Sequence, residues 1–357
     1  MNWTAGGFCC YDGDMKKGSY DFMLSVPMGD PAGIGPEIVL KALDSTSMPE
    51  NVGVVFVADA RLLVQTSVDC GVPLRFDGIV QSDEELKSAI QDGARYINYD
   101  LPCVDLDLFA YGVVGAMCGK AAYDCVAKAT ALVMSGVCDA VVTPPLHKEA
   151  LRAAGIPHIG YTEILGDLAK CEAPVTMFDT LGMKIFFHSR HLSLRDACDA
   201  VTKESLLNSI IICDSISSNP PGFNVGLPLA VAGLNPHCGE HGLFGDEELT
   251  AIVPAVEAAR KLGIDVVGPV SADSVFHQAK TGRYRAVLSL YHDQGHIAAK
   301  TLDFERTVSV TWNLPFLRTS VDHGTAFDIA GKGIASPVSM IEALQVAQRY
   351  LGAGVRL

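Results

Sequence analysis

The chain has 357 residues, of which 41 are acidic and 27 basic, so its formal net charge is −14. With 49% hydrophobic and only 19% charged residues, it is too apolar for a disordered protein, and its acidic balance argues against a general nucleic-acid binder, which needs a basic face. This length predicts two domains or one large α/β unit.

The N-terminal region carries no targeting signal that we recognise. The first twenty residues lack a continuous apolar segment, and no apolar run approaches the ~18–20 residues that cross a bilayer. We interpret residues 1–20 as an N-terminal extension ahead of a unit over 21–357. The 11 cysteines are odd in number and have no Cys-x-x-Cys spacing, which is typical of reduced thiols in the cytoplasm. We therefore expect a cytoplasmic protein without a membrane partner.

Strand-like and helix-like segments alternate along the chain. Strands are predicted at Phe22–Met28, Val52–Ala58, Ala140–Thr143, Met183–Phe187, Pro228–Ala232, Val266–Val270, Ala286–Leu290 and Thr307–Thr311. Helices are predicted from Ala60, over 117–136 and over Glu247–Leu262, the last with an apolar stripe at 249, 252, 253, 256 and 262. Continuous apolar strands that alternate with helices predict βαβ units and a largely parallel sheet covered on both faces. Because no linker marks a boundary, we expect the chain to cross between two subdomains more than once.

A glycine-rich loop follows the first predicted strand. It runs through Gly33, Gly35 and Pro36 and matches neither the Gly-x-Gly-x-x-Gly dinucleotide loop nor the P-loop. Two interpretations remain open: a tight strand-to-helix connection, or a backbone wall beside a substrate or cofactor.

Three histidines follow strand-like segments inside polar clusters. They are His191, His237 and His292. In α/β folds, ligands bind beyond the carboxyl ends of strands, and three imidazoles with an open position form a catalytic metal site. From the spacing alone, separately hydrogen-bonded histidines remain the alternative. Farther along, Lys300 and Arg318 could hold a phosphate or could be solvated surface charges.

Six motifs together resemble one enzyme family. They are Met28–Glu37 (MGDPAGIGPE), Thr143–Lys148 (TPPLHK), Leu234–Glu240 (LNPHCGE), Gly268–Asp273 (GPVSAD), Tyr291–Gly295 (YHDQG) and Arg318–Ala326 (RTSVDHGTA). In this order they resemble the 4-hydroxythreonine-4-phosphate dehydrogenases of vitamin B6 biosynthesis, from about Phe22 to the C-terminus.

The resemblance implies an α/β fold like that of isocitrate and isopropylmalate dehydrogenases, with two α/β domains around a central cleft. It also implies a homodimer with active sites at the subunit interface. It implies one divalent metal ion (Zn, Mg, Mn or Co) held by His191, His237 and His292, one of them from the partner subunit. His188 is a rival to His191, but the residues that follow favour His191.

The resemblance further implies metal-dependent, NAD- or NADP-linked oxidation, with decarboxylation, of a 4-phosphorylated hydroxy acid. The substrate would be 4-hydroxythreonine 4-phosphate or a threonate or erythronate 4-phosphate. Lys300 and Arg318 match the family's phosphate ligands, and Thr162 matches a substrate contact. Asp273 and Asp293 are the candidate carboxylates that orient the metal ligands or move protons. The cofactor is expected near the segment that begins with Asp322, His323 and Gly324.

Two positions depart from the family pattern. Tyr161 stands where the family has His, and Ser309 stands where it has Asn. A neutral phenol cannot replace a protonatable imidazole, and Ser reaches less far than Asn. One alternative is therefore a terephthalate-type cis-dihydrodiol dehydrogenase with a non-phosphorylated substrate, although Lys300 and Arg318 favour a phosphate ester. Another is a sensor that keeps the fold but has lost the chemistry.

Overall fold

The computed structural model describes residues 20–171, 173–218 and 222–352. The expected N-terminal extension over 1–20 lies outside these residues, apart from Tyr20. The chain divides into two compact units. Unit 1 comprises Met1–Pro174 and Asn313–Leu357, and unit 2 comprises Val175–Trp312. The chain therefore leaves unit 1 once and returns to it.

Strands and helices alternate through both units. Unit 1 begins with β1 (Phe22–Pro27), α1 (Gly35–Leu43), β2 (Val52–Ala58), α2 (Ala60–Cys70), β3 (Gly78–Val80), α3 (Asp83–Gln91), β4 (Tyr96–Asp100), α4 (Ala116–Met134), β5 (Ala140–Thr143), α5 (Lys148–Ala153) and α6 (Tyr161–Leu168). Unit 2 contains β6 (Val175–Thr180), β7 (Met183–Phe187), α7 (Leu194–Asp199), α8 (Lys203–Ser217), β8 (Leu229–Ala232), α9 (Val253–Lys261), β9 (Val266–Val270), α10 (Ala272–Lys280), β10 (Ala286–Ser289), α11 (His292–Leu302) and β11 (Thr307–Trp312). Unit 1 resumes with β12 (Leu317–Val321) and α12 (Val338–Leu351).

The sheet of unit 1 is parallel in all of its described pairings. Its strand order is β3-β4-β2-β1-β5-β12, and each neighbouring pair runs parallel. Every residue of β2 is buried, as expected for a strand covered by helices on both faces. The parallel arrangement brings the carboxyl ends of β1, β5 and β12 to one edge.

The sheet of unit 2 is mixed. Its strand order is β11-β6-β7-β10-β8-β9. The last four strands run parallel, whereas β6 is antiparallel to both β11 and β7. The reversal between β6 and β7 uses a two-residue turn, Leu181-Gly182, with φ of 50° and 86°; positive φ at both positions is typical of a tight hairpin. A core that includes Phe178, Ile185 and Val287 fills this unit.

The eight predicted strands all form, within one or two residues at their ends, and the α/β prediction is confirmed.

The prediction of one regular helix over Glu247–Leu262 is partly wrong. A π-helical turn occupies Glu248–Ile252, and α9 starts only at Val253. Pro254 has no N–H to continue the regular hydrogen-bond ladder, and the wider π turn changes the helical phase.

The apolar stripe predicted on that helix is correspondingly incomplete. Ile252 and Val256 are buried, whereas Leu249 and Leu262 are 51% and 64% exposed. Leu249 lies within the π turn, and Leu262 lies beyond the last residue of α9. None of the helices in the described part of the chain combines the length and apolar character that crossing a bilayer requires.

Candidate functional site

The three candidate metal ligands follow three neighbouring parallel strands of unit 2. His191 comes after β7, His292 after β10 and His237 after β8, and β10 lies between the other two strands. Asp273 follows β9, the next strand in the same sheet. Since the carboxyl ends of parallel strands share an edge, all four residues belong to the same edge of this unit.

Hydrogen bonds connect the loops that carry these histidines. The Ser189 hydroxyl donates to the carbonyl of Leu290 at 2.9 Å, which joins the loops after β7 and β10. The Gln294 amide donates to the carbonyl of Gly233 at 2.8 Å, and its oxygen accepts from the N–H of Leu290 at 2.7 Å. Gln294 thereby joins the loops after β10 and β8.

His292 has its ring held on one side. Its Nδ1 lies 2.7 Å from Oδ1 of Asp293, and its ring stacks on that of His296 with centroids 3.6 Å apart. When the carboxylate accepts from an Nδ1–H, the lone pair is left on Nε2, the atom that faces a metal in carboxylate–histidine–metal arrangements. This contact is the one expected of a carboxylate that orients a metal ligand.

His188, the rival to His191, is engaged elsewhere. Its Nδ1 lies 2.8 Å from the hydroxyl of Ser209, and its Nε2 lies 3.1 Å from the carbonyl oxygen of Ala200. Burial lowers the pKa of His188 below its usual value. Both ring nitrogens are thus used within the protein, whereas His191 is exposed. The geometry favours His191 as the ligand.

His237 lies on an unusual backbone. Residues 237–242 all have positive φ, between 44° and 93°. For residues other than glycine, this left-handed conformation costs roughly 1–2 kcal/mol each. The His237 ring is exposed, lies 3.5 Å from a Glu240 carboxylate oxygen and meets the Phe244 ring edge-on. Strained backbone of this kind is concentrated at functional sites.

The donor set suits a divalent ion that accepts imidazole, such as Zn²⁺ or Co²⁺. Within residues 20–171, 173–218 and 222–352, however, no three His, Cys, Asp or Glu side chains lie close enough to hold one ion. The histidines of one chain share an edge without forming a complete site.

The remaining candidates of unit 2 occupy α10, α11 and β11. Asp273 is exposed in the first turn of α10. The pKa of Cys238 is raised mainly by burial and further by the carboxylates of Glu248 and Asp273, which places Asp273 near the left-handed turn. Lys300 lies in the last turn of α11 with its Nζ 5.1 Å from the centre of the Phe304 ring. Ser309 is buried within β11.

In unit 1, Arg318 forms a buried cationic centre. Its Nε and Nη2 both donate to the Thr143 hydroxyl, at 3.1 and 2.8 Å. Its Cζ lies 5.1 Å from the centre of the Tyr161 ring, within the range of cation–π attraction. Thr143 ends β5, Arg318 belongs to the adjacent β12, and Tyr161 begins α6. These contacts fix the guanidinium, as an anion-binding arginine requires.

Tyr161 is neutral and buried. Its hydroxyl has no hydrogen-bond partner among the described residues. Burial raises its pKa far above the usual value, although the Arg318 charge opposes this shift. The phenol therefore offers a neutral donor and acceptor, and Thr162 follows it on α6.

Two residues inside the family motifs, to which the sequence alone assigned no individual role, also have buried atoms in unit 1 without a partner among the described residues. Asp30 uses Oδ1 to accept from the N–H of Ala32 at 2.9 Å, but its Oδ2 has no partner among the described residues. Burial raises the pKa of Asp30 to about 6. The Nδ1 of His147 likewise has no described partner, and its ring stacks on Phe327 with centroids 4.7 Å apart. Their sequence signals are that they follow β1 and β5 and that they lie in the motifs Met28–Glu37 and Thr143–Lys148.

The glycine-rich loop packs against the segment in which the cofactor was expected. The N–H of Ile34 donates to the carbonyl of Thr325 at 3.0 Å, and a Cβ at Gly33 would come within 2.8 Å of the Thr325 side chain. Asp322, His323 and Gly324 lie just before this contact, and His323 Nδ1 is 2.9 Å from the carbonyl oxygen of Gly324. The loop is both a tight connection, with Pro36 in the first turn of α1, and a wall for residues 322–325.

Comparison with known proteins agrees with these features. The family model described as "Pyridoxal phosphate biosynthetic protein PdxA" matches residues 50–347. A Fusobacterium nucleatum protein, provisionally named a D-threonate 4-phosphate dehydrogenase, is 52% identical over 327 residues, which are 92% of this chain and 96% of the relative.

Solved structures extend the comparison to the fold. The 4-hydroxythreonine-4-phosphate dehydrogenase of Klebsiella pneumoniae is 37% identical, with a TM-score of 0.79 over 92% of this chain and 98% of that one. A terephthalate 1,2-cis-dihydrodiol dehydrogenase from Burkholderia xenovorans, 24% identical with a TM-score of 0.59 over 92% and 98% of the two chains, shares the fold. The family resemblance of the motifs is confirmed, and the chain belongs to the PdxA family, that of the 4-hydroxythreonine-4-phosphate dehydrogenases.

Proposed function

We propose that the protein is a metal-dependent, NAD- or NADP-linked dehydrogenase that oxidises and decarboxylates a 4-phosphorylated hydroxy acid. The observation that carries this proposal is the placement of His191, His292 and His237 after three neighbouring parallel strands. Relatives named for D-threonate 4-phosphate are 49–52% identical, whereas the Klebsiella enzyme named for 4-hydroxythreonine 4-phosphate is 37% identical. We therefore favour a threonate 4-phosphate over 4-hydroxythreonine 4-phosphate.

The chemistry needs a hydride acceptor and polarisation of the reacting hydroxyl. When bound, the divalent metal supplies Lewis-acid polarisation and the nicotinamide ring accepts the hydride. The substrate hydroxyl gives up a proton, and the hydrogen on the same carbon leaves as hydride to the nicotinamide. The β-keto acid then breaks its carbon–carboxylate bond to release carbon dioxide, and the resulting enolate takes up a proton. Asp293 keeps the His292 proton on Nδ1, which would leave the lone pair of Nε2 to hold the metal. Asp273, exposed at the same edge, is our candidate for proton transfer.

The rest of the substrate is held by fixed charges and neutral groups. Arg318, oriented by Thr143, binds an anionic group of the substrate, and Lys300 supplies a second positive charge for the phosphate. Tyr161 provides a neutral hydroxyl beside Arg318, and Thr162 and Ser309 provide shorter hydrogen-bonding groups. A neutral phenol suits a substrate hydroxyl, the group that threonate carries where hydroxythreonine carries an amine.

We also propose a homodimer whose subunits share the metal site. Large exposed apolar side chains flank all three histidines: Leu192 and Leu194 beside His191, Leu243 and Phe244 beside His237, and Ile297 close to His292. Apolar side chains concentrated around a polar site are typical of a surface that is covered by a partner.

The described cysteines form no disulfide with one another, which supports a reducing cytoplasmic location.

A substrate panel tests the proposal. D-threonate 4-phosphate, D-erythronate 4-phosphate, 4-hydroxythreonine 4-phosphate and a cyclic cis-dihydrodiol are each incubated with NAD or NADP and a divalent metal. We expect reduced cofactor and carbon dioxide with a phosphorylated acid, and loss of both after chelation. Turnover of the dihydrodiol alone would favour the terephthalate-type alternative, and binding without any turnover would favour a sensor.

A further inference from the structure

The left-handed turn that carries His237 needs an external support. Six consecutive residues, 237–242, have positive φ, and four of them are not glycine. Such a backbone persists only where surrounding contacts determine it. Two neighbouring carboxylates outside the turn supply contacts to the residues before it. Glu247 accepts from the Asn235 side-chain amide at 2.6 Å, and Glu248, which is 2% exposed, makes the larger set.

Glu248 uses both carboxylate oxygens to hold the residues just before the turn. Oε1 accepts from the backbone N–H of Leu234 at 2.8 Å and of Asn235 at 2.7 Å. Oε2 accepts from the Asn235 side-chain amide at 2.8 Å. Charge-assisted bonds to a buried carboxylate are stronger than neutral ones. The backbone that enters the turn is therefore fixed two residues before His237.

Gly239, within the turn, also lies close to the Glu248 carboxylate. A Cβ at Gly239 would lie 3.0 Å from Oε2 of Glu248 and 2.9 Å from the carbonyl oxygen of Gly245, and Gly239 has a φ of 76°. Glu248 is itself the first residue of the π-helical turn, a feature that often occurs at functional sites. The carboxylate thus bonds residues before His237 and lies close to Gly239, two residues after it.

We propose that Glu248 is the positioning residue for His237, and that its carboxylate sets the left-handed turn in the conformation that presents this imidazole to the metal. Glu248 does not touch the metal or the substrate; it acts through Asn235 and the turn. The inference rests on the proposed metal function of His237. Nothing comparable holds at Glu257, an exposed residue on α9 in the same unit, which therefore provides a matched control.

The test uses the full-length chain freed of metal by chelation and titrated with Co²⁺, whose visible absorption reports both affinity and ligand geometry. The variants are Glu248→Gln, Glu248→Ala, Glu257→Gln and His237→Ala. Residues that orient metal ligands typically change affinity by about 10–100-fold. We expect Glu248→Gln, which keeps one acceptor for the backbone, to weaken Co²⁺ binding about 10-fold and Glu248→Ala to weaken it more. Glu257→Gln should bind as the wild type does.

A second measurement does not depend on the metal. Hydrogen exchange of the Leu234 and Asn235 amides in the metal-free protein should become faster in the Glu248 variants and stay unchanged in Glu257→Gln. Urea unfolding reports whether each variant is folded. If Glu248→Gln does not fold, Asn235→Ala removes the side-chain contacts to both Glu247 and Glu248 and keeps the backbone bonds to Glu248. It should weaken Co²⁺ binding to a smaller extent, and Glu247→Gln, which alters only the Glu247 contact, should weaken it less still.

The outcomes separate the two levels of the proposal. If the wild-type chain binds no Co²⁺, the proposed metal function fails and this inference fails with it. If the wild type binds Co²⁺ and His237→Ala weakens binding, but folded Glu248→Gln keeps the wild-type affinity and spectrum, the positioning role alone is overturned.

Discussion

Replacing Tyr161 by phenylalanine should change stability and substrate binding in opposite directions. The Tyr161 hydroxyl is buried without a hydrogen-bond partner among the described residues, while its ring lies 5.1 Å from the Arg318 guanidinium carbon. A buried polar group without a partner costs roughly 1–3 kcal/mol. Since phenylalanine keeps the ring and removes only the hydroxyl, we expect the free energy of unfolding to rise by about 1 kcal/mol.

The same change should weaken substrate binding. If the hydroxyl bonds the substrate, the variant loses one neutral hydrogen bond, worth about 0.5–1.5 kcal/mol, which corresponds to a rise in KM of about 2- to 10-fold. Urea unfolding of the ligand-free protein gives the stability, and initial rates with D-threonate 4-phosphate give KM and kcat.

Tyr284 provides the control for this experiment. It is also buried, but its hydroxyl donates to the Gln278 side-chain oxygen at 2.6 Å. Tyr284→Phe should therefore lower the free energy of unfolding by about 1 kcal/mol, the usual net value of such a bond, and leave KM unchanged. If Tyr161→Phe were as destabilising as Tyr284→Phe, or left KM unchanged, the reasoning would be refuted.

Three further changes test other parts of the site. Burial raises the pKa of Asp30 from 3.8 to about 6, so the folded state binds the Asp30 proton more tightly than the unfolded state does. As the pH rises between these two values, the free energy of unfolding therefore falls by up to about 3 kcal/mol. Asp30→Asn should remove this loss. In urea unfolding the variant should be more stable than the wild type at pH 7.5 but not at pH 4, and equal stability at pH 7.5 would contradict the prediction. His191→Ala should reduce the amount of bound metal, as measured by mass spectrometry. His188→Gln should lower the free energy of unfolding by about 1–3 kcal/mol and keep the metal. The reverse pattern would make His188 the ligand. Arg318→Lys keeps the positive charge but cannot reproduce the planar guanidinium beside Thr143. We therefore expect KM to rise at least about 10-fold in steady-state kinetics, with a smaller change in kcat. An unchanged KM would remove Arg318 from the substrate site.

Local sequence patterns were sufficient for much of the framework. The strands at Val52–Ala58, Ala140–Thr143 and Met183–Phe187 form at the predicted bounds, because short, largely apolar runs flanked by turns are typical of the buried strands of α/β folds. The same patterns placed the three histidines directly after strands. The motifs that carry the family resemblance are likewise short and continuous in sequence.

Other features depend on which distant segments pair. The order β7-β10-β8, which brings the three histidine loops to one edge, joins strands up to about a hundred residues apart. Periodicity indicated neither the antiparallel β6 nor the π turn that leaves Leu249 exposed. Periodicity describes a regular helix or strand, whereas these features depend on a hairpin turn and on a missing proline N–H.

By itself, then, the sequence determined the class of fold, the family and the residue types that can bind a metal and a phosphate, because these are properties of local burial and of individual side chains. The sequence already favoured His191 over His188, and the tertiary structure adds a physical reason, since the ring nitrogens of His188 contact Ser209 and Ala200. Only the tertiary structure revealed the buried atoms of Asp30 and His147 that have no hydrogen-bond partner among the described residues, and the contacts that Glu248 makes at the turn of His237. These are matters of hydrogen-bond partners and burial, which are set by contacts between segments far apart in the chain.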